Sequence, residues 1–182
     1  MSQIIITSRR LKLRNWKDED TEPFIKMNMD TDVMQFFPAP QTREETLAQI
    51  LRIKQHFDDH GYGLYAVERK DNGLFIGFTG FAHPRFESHF TPCIEIGWRL
   101  SKENWRQGFA TEAAKACLDH GFKRLGFDEI LSFTATTNIP SIRVMEKVGL
   151  TRVEVFEHPL LPNGHKLKPH VLYKVVKKNI PL

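Results

Sequence analysis

At 182 residues, with 41% hydrophobic and 26% charged side chains, the chain has the size and composition of one soluble domain with its own core. No run approaches the roughly 18 apolar residues that cross a bilayer, and Met1–Ile6 has neither the basic start nor the apolar length of a signal peptide, so a membrane partner is excluded and the expected location is cytoplasmic. The net charge of +4 is uneven: residues 158–182 hold five lysines and no acid, and the chain before them holds 21 basic and 22 acidic residues.

That basic stretch has no arginine or aromatic cluster, so it reads as a solvated face rather than a nucleic-acid contact. In chain order, Ile4-Ile5-Ile6 and Leu11-Lys12-Leu13 read as strands around a basic turn. Lys17 to Pro23 opens a helix, with acids where they suit the positive end of its dipole, and Phe24, Met27 and Met34 line its buried side. Phe36 to Pro40 breaks the chain into a loop. Met27, Met29 and Met34, with Phe36 and Phe37, read as core before they read as pocket lining. Thr42-Arg43-Glu44-Glu45 is a capping box, and Leu47, Ile50, Leu51 and Phe57 follow at helical spacing until Gly61. His56 and His60 on this helix have the spacing of a metal clamp, but no third ligand stands near them in sequence, so they read as a solvated helix end.

Leu64–Glu68 and Leu74–Phe81 are the next strands, joined by the turn Lys70-Asp71-Asn72-Gly73. His83 to Pro92 has no period and reads as a loop. In Ile94–Leu100 the even positions Ile94, Ile96, Trp98 and Leu100 are all apolar, which turns Cys93, Glu95, Gly97 and Arg99 to the opposite side. A helical stripe then runs through Ala110, Ala113, Ala114, Cys117, Leu118, Phe122 and Leu125. Cys93 and Cys117 form no C-x-x-C pair and read as buried thiols. Ile130–Thr136 is a strand, Asn138 caps a short helix with Ile142, Met145 and Val148 on its apolar side, and Gly149 ends it. Two last strands, near Arg152–Phe156 and His170–Val176, flank the turn Pro162-Asn163-Gly164.

The stretch Trp105-Arg106-Gln107-Gly108-Phe109-Ala110-Thr111 joins the central strand to the long helix. The first N–H groups of a helix have no partner within it and carry the positive end of its dipole, and Gly108 lets a ligand approach the backbone. This is an anion seat fit for a phosphate or pyrophosphate. No Lys-Ser or Lys-Thr follows the glycine, so it is not a P-loop, and it lacks the three glycines of a dinucleotide fingerprint.

The stretch resembles the acetyl-coenzyme A loop of the GNAT N-acetyltransferases, Gln/Arg-x-x-Gly-x-Gly/Ala, with Gly108 and Ala110 in the last two places and Trp105 in the first. Tryptophan there, followed by Gly-x-Ala-Thr-Glu-Ala, is similar to the branch named for RimJ and RimL. Asn138 to Leu150 resembles the family's second segment, and Thr7-Ser8-Arg9-Arg10-Leu11-Lys12-Leu13-Arg14 its opening. The resemblance implies one α/β domain over 1–182, with a mixed, mostly antiparallel sheet whose central strands splay, flanked by helices. It implies that the first two helices wall the acceptor side of the cleft. Acetyl-CoA is the implied co-substrate, contacted by Trp98, Arg99 and Leu100, by Arg106, Gln107, Gly108, Phe109, Ala110 and Thr111, and by Asn138, Ser141 and Arg143. A primary amine, either a protein N-terminus or a small amine, is the implied acceptor, in a monomer or homodimer with no metal. Glu95 matches the place of a glutamate that serves as general base, against the alternative of an ion pair with Arg99 or Lys102. Met145 falls in the slot of the family's acidic tyrosine and cannot donate a proton, which leaves Ser141 as the substitute acid. A module that keeps the coenzyme seat without turnover is the rival reading; Met145 favours it and Glu95 opposes it.

Overall fold

The computed structural model describes residues 3–177, and the end of the basic stretch, from residue 178, lies outside them. Eight strands form one sheet in the order β1-β2-β3-β4-β5-β6-β8-β7: β1 (Ile4–Thr7), β2 (Leu11–Arg14), β3 (Leu64–Arg69), β4 (Phe75–Ala82), β5 (Glu95–Leu100), β6 (Glu129–Ala135), β7 (Thr151–Glu157) and β8 (Pro169–Val176). The helices are α1 (Thr21–Met29), α2 (Arg43–His60), α3 (Phe109–Lys123) and α4 (Ile139–Lys147). All pairings are antiparallel except β5 with β6. The sequence does not reveal that β8 inserts between β6 and β7; that order lets the last hairpin complete the β6 ladder with its second strand.

One face of the sheet, with Leu11, Leu13, Val67, Ile76, Phe81 and Ile96, packs on Ala113, Ala114, Cys117, Leu118 and Phe122 of α3 and on Met145 of α4. The other face, through Ala66 and Phe78, is covered by Phe24 and Met27 of α1, Val33 and Met34 after it, and Ile50 and Ile53 of α2. The capping box holds: the Thr42 hydroxyl accepts from Glu45 N–H at 3.2 Å and the Glu45 carboxylate from Thr42 N–H at 2.8 Å. The buried stripe of α2 differs from the expected one. It consists of Thr46, Ile50 and Ile53, while Leu47 and Leu51 face solvent. Only a narrow strip of this helix meets the sheet, and the sequence pattern is too loose to say which.

Between the two faces, at the rim of β2 and β3, sits a buried ionic group. Arg14 grips Asp20 through two hydrogen bonds, of 2.7 and 2.8 Å, and donates to Glu68 at 2.7 Å. Lys17 joins Glu68 at 3.1 Å. Burial raises the Glu68 carboxyl, but the hydrogen bonds from Arg14 and Lys17 outweigh it and hold the group below the usual carboxylate range. The group locks β2 and β3 to the turn that starts α1. Arg14→Met leaves two buried carboxylates without their shared cation, and is expected to cost about 3–5 kcal/mol in urea denaturation near neutral pH. Arg43→Met, which removes an exposed pair with Glu22, is the control and leaves the midpoint nearly unchanged.

Candidate active site

Parallel neighbours require a crossover, and α3 supplies it between β5 and β6. Their ladder has one register pair, Glu95 with Leu131. It is reinforced by Leu131 N–H to the Ile94 carbonyl at 2.9 Å and by the Ser132 hydroxyl to the Ile96 carbonyl at 2.8 Å. Beyond it, β5 stays with β4 as far as Leu100 and β6 stays with β8 as far as Ala135. The sheet therefore parts toward the carboxyl ends of β5 and β6, as expected for splayed central strands. Each strand delivers the chain at that open end to a helix start, α3 after β5 and α4 after β6. A crevice at the carboxyl ends of parallel strands is where α/β sheets take ligands.

The turn before α3 is built from backbone. The Trp105 indole donates to the Leu100 carbonyl at 2.8 Å, which folds the turn back onto the strand end. Arg106 and Gly108 both have left-handed backbones, with φ of 58° and 80°. A side chain at Gly108 meets both that strained φ and Arg10 Nη2 at 3.4 Å from its Cβ. The N–H groups from Gln107 to Thr111 donate to no protein acceptor among the described residues. Around them gathers positive charge that motif reading missed. The Arg10 and Arg69 guanidiniums stand 4.4 and 5.0 Å from the centre of the Phe109 ring, and Lys70 lines the same hollow with Gln107. Glu112, in the first turn of α3, anchors this arrangement by accepting from the Ser8 hydroxyl, Arg10 N–H and Arg10 Nε, each at 2.7 Å. The opening motif and the turn motif were thus two halves of one contact, a signal available only once both were set side by side.

Glu95 occupies the closed end of the parted strands. Its side chain is half-buried and makes no hydrogen bond or ion pair among the described residues. Neither proposed ion-pair partner reaches it: Arg99 donates to Asn28 at 2.6 Å, and Lys102 pairs with Asp32. Burial pushes the Glu95 carboxyl up to about 8. Arg99 itself is 8% exposed, 4.2 Å from the Phe37 ring centre, and drawn down to about 10 by burial. Its side chain lies with α1, on the face opposite α3. The Leu100 side chain belongs to the α3 core and Trp98 packs against it. At these three positions only the backbone faces the parted edge.

In α4 the Asn138 amide oxygen accepts from Ser141 N–H at 3.3 Å and its nitrogen donates to Thr134 at 2.9 Å, so the side chain is a helix cap. The Ser141 hydroxyl, half-buried, has no hydrogen-bond partner among the described residues, and Arg143 is exposed. Met145 is 1% exposed in the core. On the Glu95 face, Phe133 stands two residues beyond Leu131 and packs with Phe86, Phe90 and Phe156 at ring distances of 5.5, 6.0 and 5.9 Å. Met27 and Met34 are core as expected, but Met29 and Phe37 are exposed. Cys93 precedes β5 rather than lying in it. Burial, then the charges of Glu95 and Glu129, push its thiol up to about 11; burial also raises Cys117. Neither is a thiolate near neutral pH.

The histidine pair of α2 is not a plain solvated helix end. His83, just after β4, joins His56 and His60, and one ligand atom of each lies within 4.8 Å of the others. Sequence spacing concealed the third ring because β3 and β4 intervene.

Residues 10–151 match the family model described as an acetyltransferase (GNAT) domain. The chain is 32% identical, over 85% of its length and 68% of the relative's, to the FsC-acetyl coenzyme A-N(2)-transacetylase of Aspergillus fumigatus. A GNAT-family acetyltransferase structure from Bacillus anthracis is 28% identical and superposes with a TM-score of 0.78 over 98% of this chain and 99% of that one. The ribosomal alpha-N-protein acetyltransferase RimL in complex with coenzyme A shares the fold at a TM-score of 0.77 over 96% and 98% of the two chains, with 17% identity.

The raised Glu95 carboxyl has a signed consequence for stability. Its folded value near 8 lies above the ordinary glutamate value of about 4.3. The stability it contributes is full below the unfolded value and lost as pH rises through the folded one. Glu95→Gln, which stays neutral, is therefore expected to melt higher than the parent above about pH 8 and no higher near pH 4. Melting curves across that range check it.

Proposed function

The chain belongs to the GNAT acetyltransferase family and is an acyltransferase, and from that premise we propose that it moves the acetyl group of acetyl-CoA to a primary amine by direct attack in a ternary complex. The observation that carries this reading is Glu95: a carboxyl with a raised pKa at the closed end of a crevice with helix N–H groups at its mouth, neither the carboxyl nor those N–H groups having a protein partner among the described residues.

The backbone from Gln107 to Thr111 suits the pyrophosphate, and Arg10, Arg69 and Lys70 add positive charge beside it. The unpaired edges of β5 and β6 suit the amides of the pantetheine arm, which can hydrogen-bond as an added strand does. Glu95 takes a proton from the acceptor ammonium, through a water, and frees its lone pair to attack the thioester carbonyl. The carbon–nitrogen bond forms, the carbon–sulfur bond breaks, the coenzyme thiolate leaves, and the second proton of the attacking nitrogen passes to that thiolate. With a free thiol pKa of about 8.5, that thiolate needs little help, and Ser141, whose hydroxyl has no hydrogen-bond partner among the described residues, is the side chain we assign to relay that proton to it. Met145, sealed in the core, has no part in this step. The acceptor is a protein N-terminal amine, as the name of RimL gives for that protein, or a small amine. Arg99 with Asn28 bounds its site on the α1 side, and the Phe133 cluster bounds it beyond β6.

Thiol release from acetyl-CoA, measured over a panel of N-terminal peptides and small amines, tests the activity and selects the acceptor. With an active amine, Glu95→Gln is expected to lower turnover by about 10²–10⁴-fold while leaving acetyl-CoA affinity nearly unchanged. The parent rate rises with pH through an ionisation that the variant lacks. Equal rates and matching pH profiles would reduce Glu95 to a packing residue. Gly108→Glu puts a strained, negative side chain at the pyrophosphate seat. It is expected to abolish acetyl-CoA binding in calorimetry while the chain still melts cooperatively; retained affinity would remove the seat from that turn.

A further inference from the structure

Away from the parted strands, the end of α2 and the end of β4 bring three imidazoles together. His56 and His60 are one turn apart on α2, and Gly61, with a left-handed φ of 74°, turns the chain sharply back toward β3. Phe81 N–H donates to the Gly63 carbonyl at 3.0 Å, which fixes the end of β4, and so His83, beside that turn. The ring centres are 4.4 Å apart for His56 and His60, 4.8 Å for His60 and His83, and 5.4 Å for His56 and His83.

Two features separate this cluster from ordinary packing of surface rings. The His56 Nε2 atom is buried with no hydrogen-bond partner among the described residues, a costly state for an imidazole nitrogen unless a ligand takes its lone pair. The Tyr62 hydroxyl stands 3.0 Å from His83 Nε2, the kind of outer contact that orients a metal-bound histidine ring.

We propose that His56, His60 and His83 form a binding site for one divalent transition-metal ion, of which zinc is the type, with a position left open for water. Zinc–nitrogen distances of about 2.0–2.1 Å put ligand nitrogens in a tetrahedral site about 3.4 Å apart. The ligand atoms lie within 4.8 Å of one another, so closure takes side-chain movements of about an ångström, which the exposed His60 can supply. Three nitrogen donors and no thiolate or carboxylate suit zinc, copper, nickel or cobalt over magnesium or calcium. The ion would clip the end of α2 to the start of the loop that carries Phe86 and Phe90, independently of whether acetyl transfer proceeds as proposed.

The test uses the full chain, without a histidine tag and stripped by chelator. Titration with zinc by calorimetry, and with cobalt by visible absorption, is expected to give one equivalent bound and a cobalt spectrum of low-symmetry, four-coordinate type, with a melting temperature that rises with zinc concentration. His60→Ala and His83→Gln are each expected to weaken zinc binding by at least about 100-fold, more than the usual loss of an outer-shell partner, and Tyr62→Phe by about 10–100-fold. His165→Ala leaves the affinity unchanged. Absence of stoichiometric binding, or parental affinity in His60→Ala, overturns the proposal. His60 is exposed, so that variant decides the matter even where His83→Gln fails to fold.

Discussion

The single rung between Glu95 and Leu131 is the constraint on which the site depends. Two parallel strands that stayed paired would close the sheet and leave no path between its halves. Strands with no rung at all would let the halves separate and would leave Glu95 in water. One register pair, with the Ser132 hydroxyl bonded to the Ile96 carbonyl, holds the apex shut while β4 and β8 draw their partners apart above it. The same rung places a carboxyl where burial keeps it protonated to an unusually high pH, and places two helix starts across the mouth.

Electrostatic roles are divided between the faces of the sheet. On the α3 side, Glu112 holds Ser8 and Arg10 against the first turn of the helix, so the cations of the opening segment reinforce the positive pole of the α3 dipole. On the α1 side, Arg99 is buried with an asparagine and aromatic rings for company rather than a carboxylate. Asn28 binds the guanidinium without adding negative charge, and Glu95 has no ionic partner among the described residues.

Much of the site was legible because its parts are local. Gly108 and the unpartnered N–H groups belong to one short turn, the alternation across Ile94–Leu100 assigns Glu95 to a face, and Asn138 caps the helix that follows it in sequence. The misreadings fell where the answer depended on distant chain. Leu47 and Leu51 looked like core because their spacing was helical, yet α2 meets the sheet through Thr46, Ile50 and Ile53. The alternative of an ion pair between Glu95 and Arg99 or Lys102 was open to local reading, but Asn28 and Asp32, brought in by α1 and the loop after it, take those cations.

By itself, the sequence determined the order of the elements, the glycine turn before α3, the capped helices and the family, since periodicity, glycine and capping residues act over a few residues and motifs carry their own spacing. Only the tertiary structure decided that β8 lies between β6 and β7, that Arg10 and Arg69 converge on Phe109, and that His83 meets His56 and His60. The physical reason is that each of these rests on strand order and on contacts between remote segments. Hydrophobic patterning assigns a residue to a face, but the neighbour it meets there depends on how the whole sheet is assembled.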